Sequence, residues 1–217
     1  MTFIKICGMQ TEEQAINAAG MGADFIGMVF TTSPRQVKPT NARKITAAIK
    51  KKHPKAKTVG VFVNTAAPIV RNIADSCKLD YVQMHGNEPW EYCRELALPV
   101  IKVIRVARNY SPEKVCDDMA YGKKRLAGME LLFMLDTSVK DKYGGTGRTF
   151  DWSQARIIAE RFPVIVAGGL NPQNVSAAIE MIAPWGVDVS SGVETKGVKD
   201  MKKIEKFIKS VREADGR

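Results

Sequence analysis

Short runs of β-branched and other apolar residues recur along the chain at about 3–7, 24–30, 58–63, 79–84, 100–106, 131–135, 163–167 and 187–190. Each run is followed by a helix-like segment. In the last of these Met201, Ile204, Ile208 and Val211 form one stripe among lysines, so this helix buries a single face. Several helix starts carry caps: Thr11 with Gln14 as a capping box, Ser111 before Pro112, and Asn171 before Pro172 at the first helical position. No low-complexity linker separates the units.

Eight strand-helix units in 217 residues predict an α/β protein built as one (β/α)8 barrel, the TIM-barrel architecture, whose usual size is about 250 residues. An open doubly wound sheet more often stops at five or six strands. The barrel is expected to span residues 1–217 as a single domain. Its active site would lie at the C-terminal ends of the strands, which here read Cys7, Phe30, Asn64, His85, Arg105, Asp136, Gly168 and Ser190. Most are polar or glycine, poor material for a packed layer and good material for a pocket.

Alternation along a strand sharpens the picture, because residues two apart share a face. Ile4 and Ile6 should face the helices, leaving Lys5 and Cys7 inside the barrel; Val187 and Val189 should face outward, leaving Asp188 and Ser190 inside. First and last strands are neighbours in a closed barrel. Lys5 and Asp188 are therefore expected to pair, since an inward ammonium without a partner carries a heavy desolvation cost.

Composition narrows the function classes. A hydrophobic content of 45% over this length suffices to bury roughly 70–75% of the unfolded surface in one core. No stretch nears about 18 consecutive apolar residues, and the N-terminus lacks the segments of a secretory signal, so a soluble cytoplasmic protein is expected. Cys7, Cys77, Cys93 and Cys116 form no CxxC pair, and two histidines are too few to complete a zinc site. Free thiols are expected, with Cys77, Cys93 and Cys116 as packing residues on helical segments. The net charge of +10 is spread along the chain, with only Lys50-Lys51-Lys52 and Lys123-Lys124-Arg125 as short clusters. Solvated helix faces explain it better than a nucleic-acid footprint, while the positive field would draw in an anionic metabolite.

Two groups stand out as proton-transfer chemistry. Asp136 ends the apolar run Leu131 to Leu135 and precedes Thr137 and the glycine-rich Lys142-Tyr143-Gly144-Gly145-Thr146-Gly147. Cys7 ends the first strand run, Ile4-Lys5-Ile6-Cys7-Gly8. A carboxylate and a thiol at two strand mouths suit acid-base work.

Ordered motifs over almost the whole chain carry a resemblance. They are Lys5-Ile6-Cys7-Gly8, Ser33-Pro34-Arg35, Val82-Gln83-Met84-His85-Gly86, Leu135-Asp136-Thr137, Tyr143 to Gly147 and Thr149-Phe150-Asp151-Trp152, followed by Ala167-Gly168-Gly169-Leu170-Asn171-Pro172 and Asp188-Val189-Ser190-Ser191-Gly192-Val193-Glu194. Together they resemble the phosphoribosylanthranilate isomerases of tryptophan biosynthesis. The resemblance implies an Amadori rearrangement of N-(5-phosphoribosyl)anthranilate, with no metal or organic cofactor, Asp136 as general acid and Cys7 as general base. The implied partner is a small phosphorylated amino-sugar, not a nucleic acid or a membrane; monomer or oligomer is not readable.

The substrate's phosphate is expected on the loops after strands seven and eight, at Gly168, Gly169, Ser190, Ser191 and Gly192. Gly145 belongs to a candidate lid. Arg35 is the candidate for the anthranilate carboxylate, which a guanidinium grips with two parallel hydrogen bonds. Gln83, His85 and Asp188 are expected to orient sugar hydroxyls, with neutralisation of Lys5 alone as the equal alternative for Asp188. One departure is visible: Lys196 stands where the family usually carries a proline before Gly197, so the loop after the eighth strand is expected to be shorter or differently shaped. The alternative within reach is indole-glycerol-phosphate synthase. That lyase uses a lysine acid and an extra N-terminal helical segment, whereas here the first strand starts by Phe3 and carries Cys7.

Overall fold

The computed structural model describes residues 1–106, 111–136 and 152–216. Eight parallel strands follow one another around a closed barrel: β1 (Phe3–Cys7), β2 (Phe25–Val29), β3 (Lys57–Phe62), β4 (Tyr81–Met84), β5 (Val100–Arg105), β6 (Leu131–Asp136), β7 (Val164–Ala167) and β8 (Gly186–Val189). β8 pairs back on β1, with Lys5 opposite Asp188 in register. Every run expected from the sequence is a strand, with ends that agree to within two residues. The crossings are the helices α1 (Glu12–Gly20), α2 (Pro39–Lys52), α3 (Ala67–Cys77), α4 (Trp90–Leu96), α5 (Pro112–Arg125), α6 (Trp152–Ala159) and α7 (Val175–Ile182), and α8 (Met201–Asp215) follows β8.

The core divides as strand alternation demands. Ile4, Ile6, Val187 and Val189 pack outward against the helices, with Ile204, Phe207, Ile208 and Val211 of α8 in the same cluster. Inside the barrel, Phe25, Val59, Tyr81, Ile101, Val103, Met134 and Ile165 form a second cluster. Phe3 stacks on Trp185 at 4.2 Å and Phe25 meets Tyr81 edge-on at 5.7 Å, so aromatic rings fill the N-terminal end of the barrel. Nearer the other end lies a small group of Cys7, Val29 and Val61. Apolar filling at one end leaves the polar strand ends at the mouth. Cys77, Cys93 and Cys116 are buried on α3, α4 and α5, and all four cysteines are free thiols.

Two of the expected caps form and one moves. The Thr11 side chain accepts from the Gln14 N–H, but the Gln14 side chain returns to the N–H of Gln10 rather than to that of Thr11. Ser111 caps α5 through the Lys114 N–H. Asn171 does not start α7: it accepts from the Gln173 N–H and heads a turn, and the regular helix begins only at Val175. Asn171 and Asn174 are both drawn instead toward the Gly169 carbonyl, which explains the later start.

Candidate active site

Cys7 is the last residue of β1 and points inside the barrel. Beside it Lys5, only 1% exposed, places its ammonium 2.6 Å from Asp188 Oδ1. The expected pair is present. The same ammonium lies beside the Cys7 thiol, both groups lining the space over Gly27. Burial works against the charged lysine, but the Asp188 carboxylate and the thiol outweigh it, so the Lys5 ammonium titrates above its ordinary range. For Cys7, burial pushes the thiol up, and the pull of Lys5 and of the more distant Lys199 does not reverse it. The resting group at neutral pH is a thiol, with a cation beside it to steady the thiolate once formed.

Room for this trio comes from Gly27 on the inner face of β2. A β-carbon there would sit 2.9 Å from Cys7 Sγ and 3.1 Å from Lys5 Nζ. Gly27→Ala should therefore overpack the mouth, costing about 1–3 kcal/mol; a shift in the urea midpoint with unchanged slope checks it.

Across the mouth, Asp136 ends β6. His85 Nε2 lies 2.9 Å from Asp136 Oδ2, and Gln83 Nε2 lies 3.3 Å from His85 Nδ1. Gln83 sits on the inner face of β4 and is buried. Gln83 and His85, expected as separate sugar contacts, are thus gathered on the carboxyl group of Asp136. Arg105, at the end of β5, donates from Nη2 to the His85 carbonyl at 2.6 Å and fixes the backbone of that turn.

Arg35 is not an unengaged guanidinium awaiting a carboxylate. Its Nε and Nη2 donate to the two carboxylate oxygens of Glu194 at 2.6 and 2.7 Å. Its side chain also lies against Gly8, whose φ is +87°, and a β-carbon at Gly8 would come within 2.7 Å of Arg35 Cδ. Arg35 is therefore held over the end of β1 by one edge, and a guanidinium has five N–H donors, so its other edge keeps donors of its own.

Glu194 owes its place to a hairpin that the sequence did not announce. A short 3-10 helix (Ser191–Val193) leads into β9 (Glu194–Thr195), which pairs antiparallel with β10 (Val198–Lys199). The turn residues Lys196 and Gly197 both have positive φ, 51° and 80°, as a type I′ turn requires. Proline, locked near φ −65°, would not fit position 196 of this turn, where the chain carries Lys196. The hairpin sets Lys199 opposite Glu194, with Nζ 2.7 Å from Oε1, and the same ammonium reaches the Ser190 carbonyl at 2.8 Å. Burial works against the Glu194 carboxylate, but Arg35 and Lys199 outweigh it and hold the group below its ordinary range. Lys199 itself is lowered, because burial wins there over Glu194. A lysine five residues past a glutamate across Lys-Gly was the readable trace of this cluster.

The loops after β7 and β8 come together as expected. Gly168 and Gly169 take φ of 98° and 68°, and Gly192 packs so tightly on the neighbouring loop that a β-carbon would stand 1.9 Å from the Leu170 carbonyl oxygen. The Ser190 hydroxyl donates to the Cys7 carbonyl at 3.1 Å, tying β8 to β1. Ser191 and Gly192 open the 3-10 helix. Gly145, with the rest of its glycine-rich stretch, lies outside the described residues.

Comparisons with known proteins extend over nearly the whole chain. The sequence profile of the family described as N-(5'phosphoribosyl)anthranilate (PRA) isomerase matches residues 4–210. A protein named N-(5'-phosphoribosyl)anthranilate isomerase from Dehalococcoides mccartyi is 47% identical over 212 residues, covering 98% of this chain and 96% of that protein. One of the same name from Moorella thermoacetica is 44% identical, covering 99% and 92%. Among solved structures, the phosphoribosyl anthranilate isomerase of Thermotoga maritima superposes with a TM-score of 0.82 at 39% identity, each chain covered completely. Another structure of such an isomerase, in complex with reduced 1-(o-carboxyphenylamino)-1-deoxyribulose 5-phosphate, has a TM-score of 0.79 at 36% identity, again with both chains fully covered.

Proposed function

The chain belongs to the N-(5'-phosphoribosyl)anthranilate isomerase family, and on that premise we propose how its own residues divide the reaction. The activity is isomerisation of N-(5'-phosphoribosyl)anthranilate in tryptophan biosynthesis. The full-length match decides against the lyase alternative.

Opening the furanose needs a proton on the ring oxygen. Asp136 supplies it and is left as a carboxylate. The resulting iminium then loses the proton at sugar C2 to Cys7, giving an enolamine that becomes the product ketone. A thiolate must do the accepting, and the Lys5 ammonium lies where it stabilises that charge. One observation carries this division of labour. The thiol and the carboxyl group each end a strand with the side chain turned inward, and each lies beside a partner suited to its charged form, Lys5 for the one and His85, 2.9 Å away, for the other.

The substrate's phosphate binds at Gly168, Gly169, Ser190, Ser191 and Gly192, where two loops meet and open space at Gly169 lets an oxyanion approach the backbone. The anthranilate carboxylate meets the edge of Arg35 turned away from Glu194, and the bidentate Glu194 contact holds the guanidinium plane for it. Asp188 is engaged with Lys5, which favours its neutralising role over contact with a sugar hydroxyl. The setting is a single cytoplasmic domain acting on a small phosphorylated amino-sugar without cofactor; among the described residues no helix is long and apolar enough to cross a membrane. The test is consumption of phosphoribosylanthranilate by the purified protein, followed by fluorescence. Decay no faster than the uncatalysed rate would remove the assignment.

A further inference from the structure

We propose that Gln83 and His85 are positioning residues for the acid: Gln83 fixes the tautomer of His85, and His85 steadies the carboxylate that Asp136 becomes on giving up its proton. The inference rests on the reading of Asp136 as general acid.

Strand alternation puts Tyr81 and Gln83 on the inner face of β4, and His85 follows on the same side at the strand's end. The Gln83 amide nitrogen can only donate, so the Nδ1 atom 3.3 Å away accepts. A neutral imidazole then carries its proton on Nε2, the atom 2.9 Å from Asp136 Oδ2, and donates it to the carboxyl group. This is the logic of a triad, in which a third group holds the imidazole in one tautomer so that it serves a second.

The buried amide is informative because it is costly. Gln83 is 1% exposed and its Oε1 has no hydrogen-bond partner among the described residues. A leucine would fill the site without leaving a buried carbonyl unsatisfied. What the amide provides is the bond from Nε2 to His85. The Asp136 side chain is 12% exposed against 29% for His85, so little water reaches the carboxylate at the moment of proton donation, and a fixed donor replaces it.

A contact to sugar hydroxyls would instead make His85 a binding group, and the two roles separate in steady-state kinetics. His85→Leu should lower kcat about ten- to a hundredfold, the range for a hydrogen bond to a charged group, with KM nearly unchanged. His85→Gln, whose terminal amide can reach the place of Nε2 and donate without a titrating ring, should regain most of that loss. Gln83→Leu should lower kcat in the same way by less. Arg105 holds the His85 backbone carbonyl, a contact that survives these side-chain changes. A rise in KM alone, an unchanged kcat, or a His85→Gln variant as slow as His85→Leu would overturn the proposal. Asp136→Asn measured in parallel separates the levels. If it turns over normally, the acid assignment itself is wrong; if it is inactive while His85→Leu keeps full kcat, only the positioning role is lost.

Discussion

Cys7→Ala and Asp136→Asn should fold like the parent protein and lose about 10²- to 10⁴-fold in kcat, the usual contribution of a positioned proton-transfer group. The Cys7 change removes one sulfur atom from a site next to Gly27 and two small apolar neighbours, Val29 and Val61. The Lys5–Asp188 pair beneath it remains intact. Asp136→Asn keeps the shape of the side chain and an oxygen for the His85 Nε2–H, but its amide cannot pass a proton to a ring oxygen. Both variants should therefore melt cooperatively near the parent's temperature while the fluorescence assay shows slow turnover. The two losses should also not add. With either group gone the sugar is not carried through ring opening and C2 deprotonation in sequence, so the double variant should be little slower than the worse single one. Near-parental kcat in either single variant removes that residue from the mechanism.

The barrel was legible because its cause is local and repetitive. A buried parallel strand reads as a short apolar run, and eight such runs alternating with helical segments leave one closed solution. The Lys5–Asp188 pair was legible as well, since alternation turns both residues inward and closure makes β1 and β8 neighbours. The contacts of Arg35 and His85 were not. Arg35 meets Glu194 across 159 positions through a hairpin whose register depends on two positive-φ turn residues, one of them a lysine. His85 meets Asp136 because β4 and β6, separated by β5, both end at the mouth. Side-chain reach across a mouth leaves no periodic trace. Asn171 misled for the opposite reason: Asn-Pro is a strong local start for a helix, and the Gly169 carbonyl beside it won the competition.

Lys5→Met should separate the structural from the electrostatic work of the buried lysine. Removing one partner of a buried pair leaves Asp188 uncompensated, a loss of about 3–5 kcal/mol, visible as a large fall in the urea midpoint. Adding Asp188→Asn should restore much of it, because the stranded charge goes too. The pH dependence has a definite sign. Lys5 is raised in the folded protein, so its contribution to stability is complete below its unfolded value and fades only as the pH climbs through the folded one. The stability gap between parent and variant should then stay constant between about pH 6 and 9. Activity behaves differently. Burial already pushes the Cys7 thiol up, Lys5 is the foremost influence pulling it back down, and the opposing push of Asp188 is the weaker of the two, so losing both still moves the thiol higher. Since the base acts as thiolate, the rising limb of kcat against pH should shift to higher pH in the double variant, even where its stability is recovered. A double variant that regains both stability and the parent's pH profile would show that Lys5 only balances Asp188 and leaves the thiol to ionise unaided.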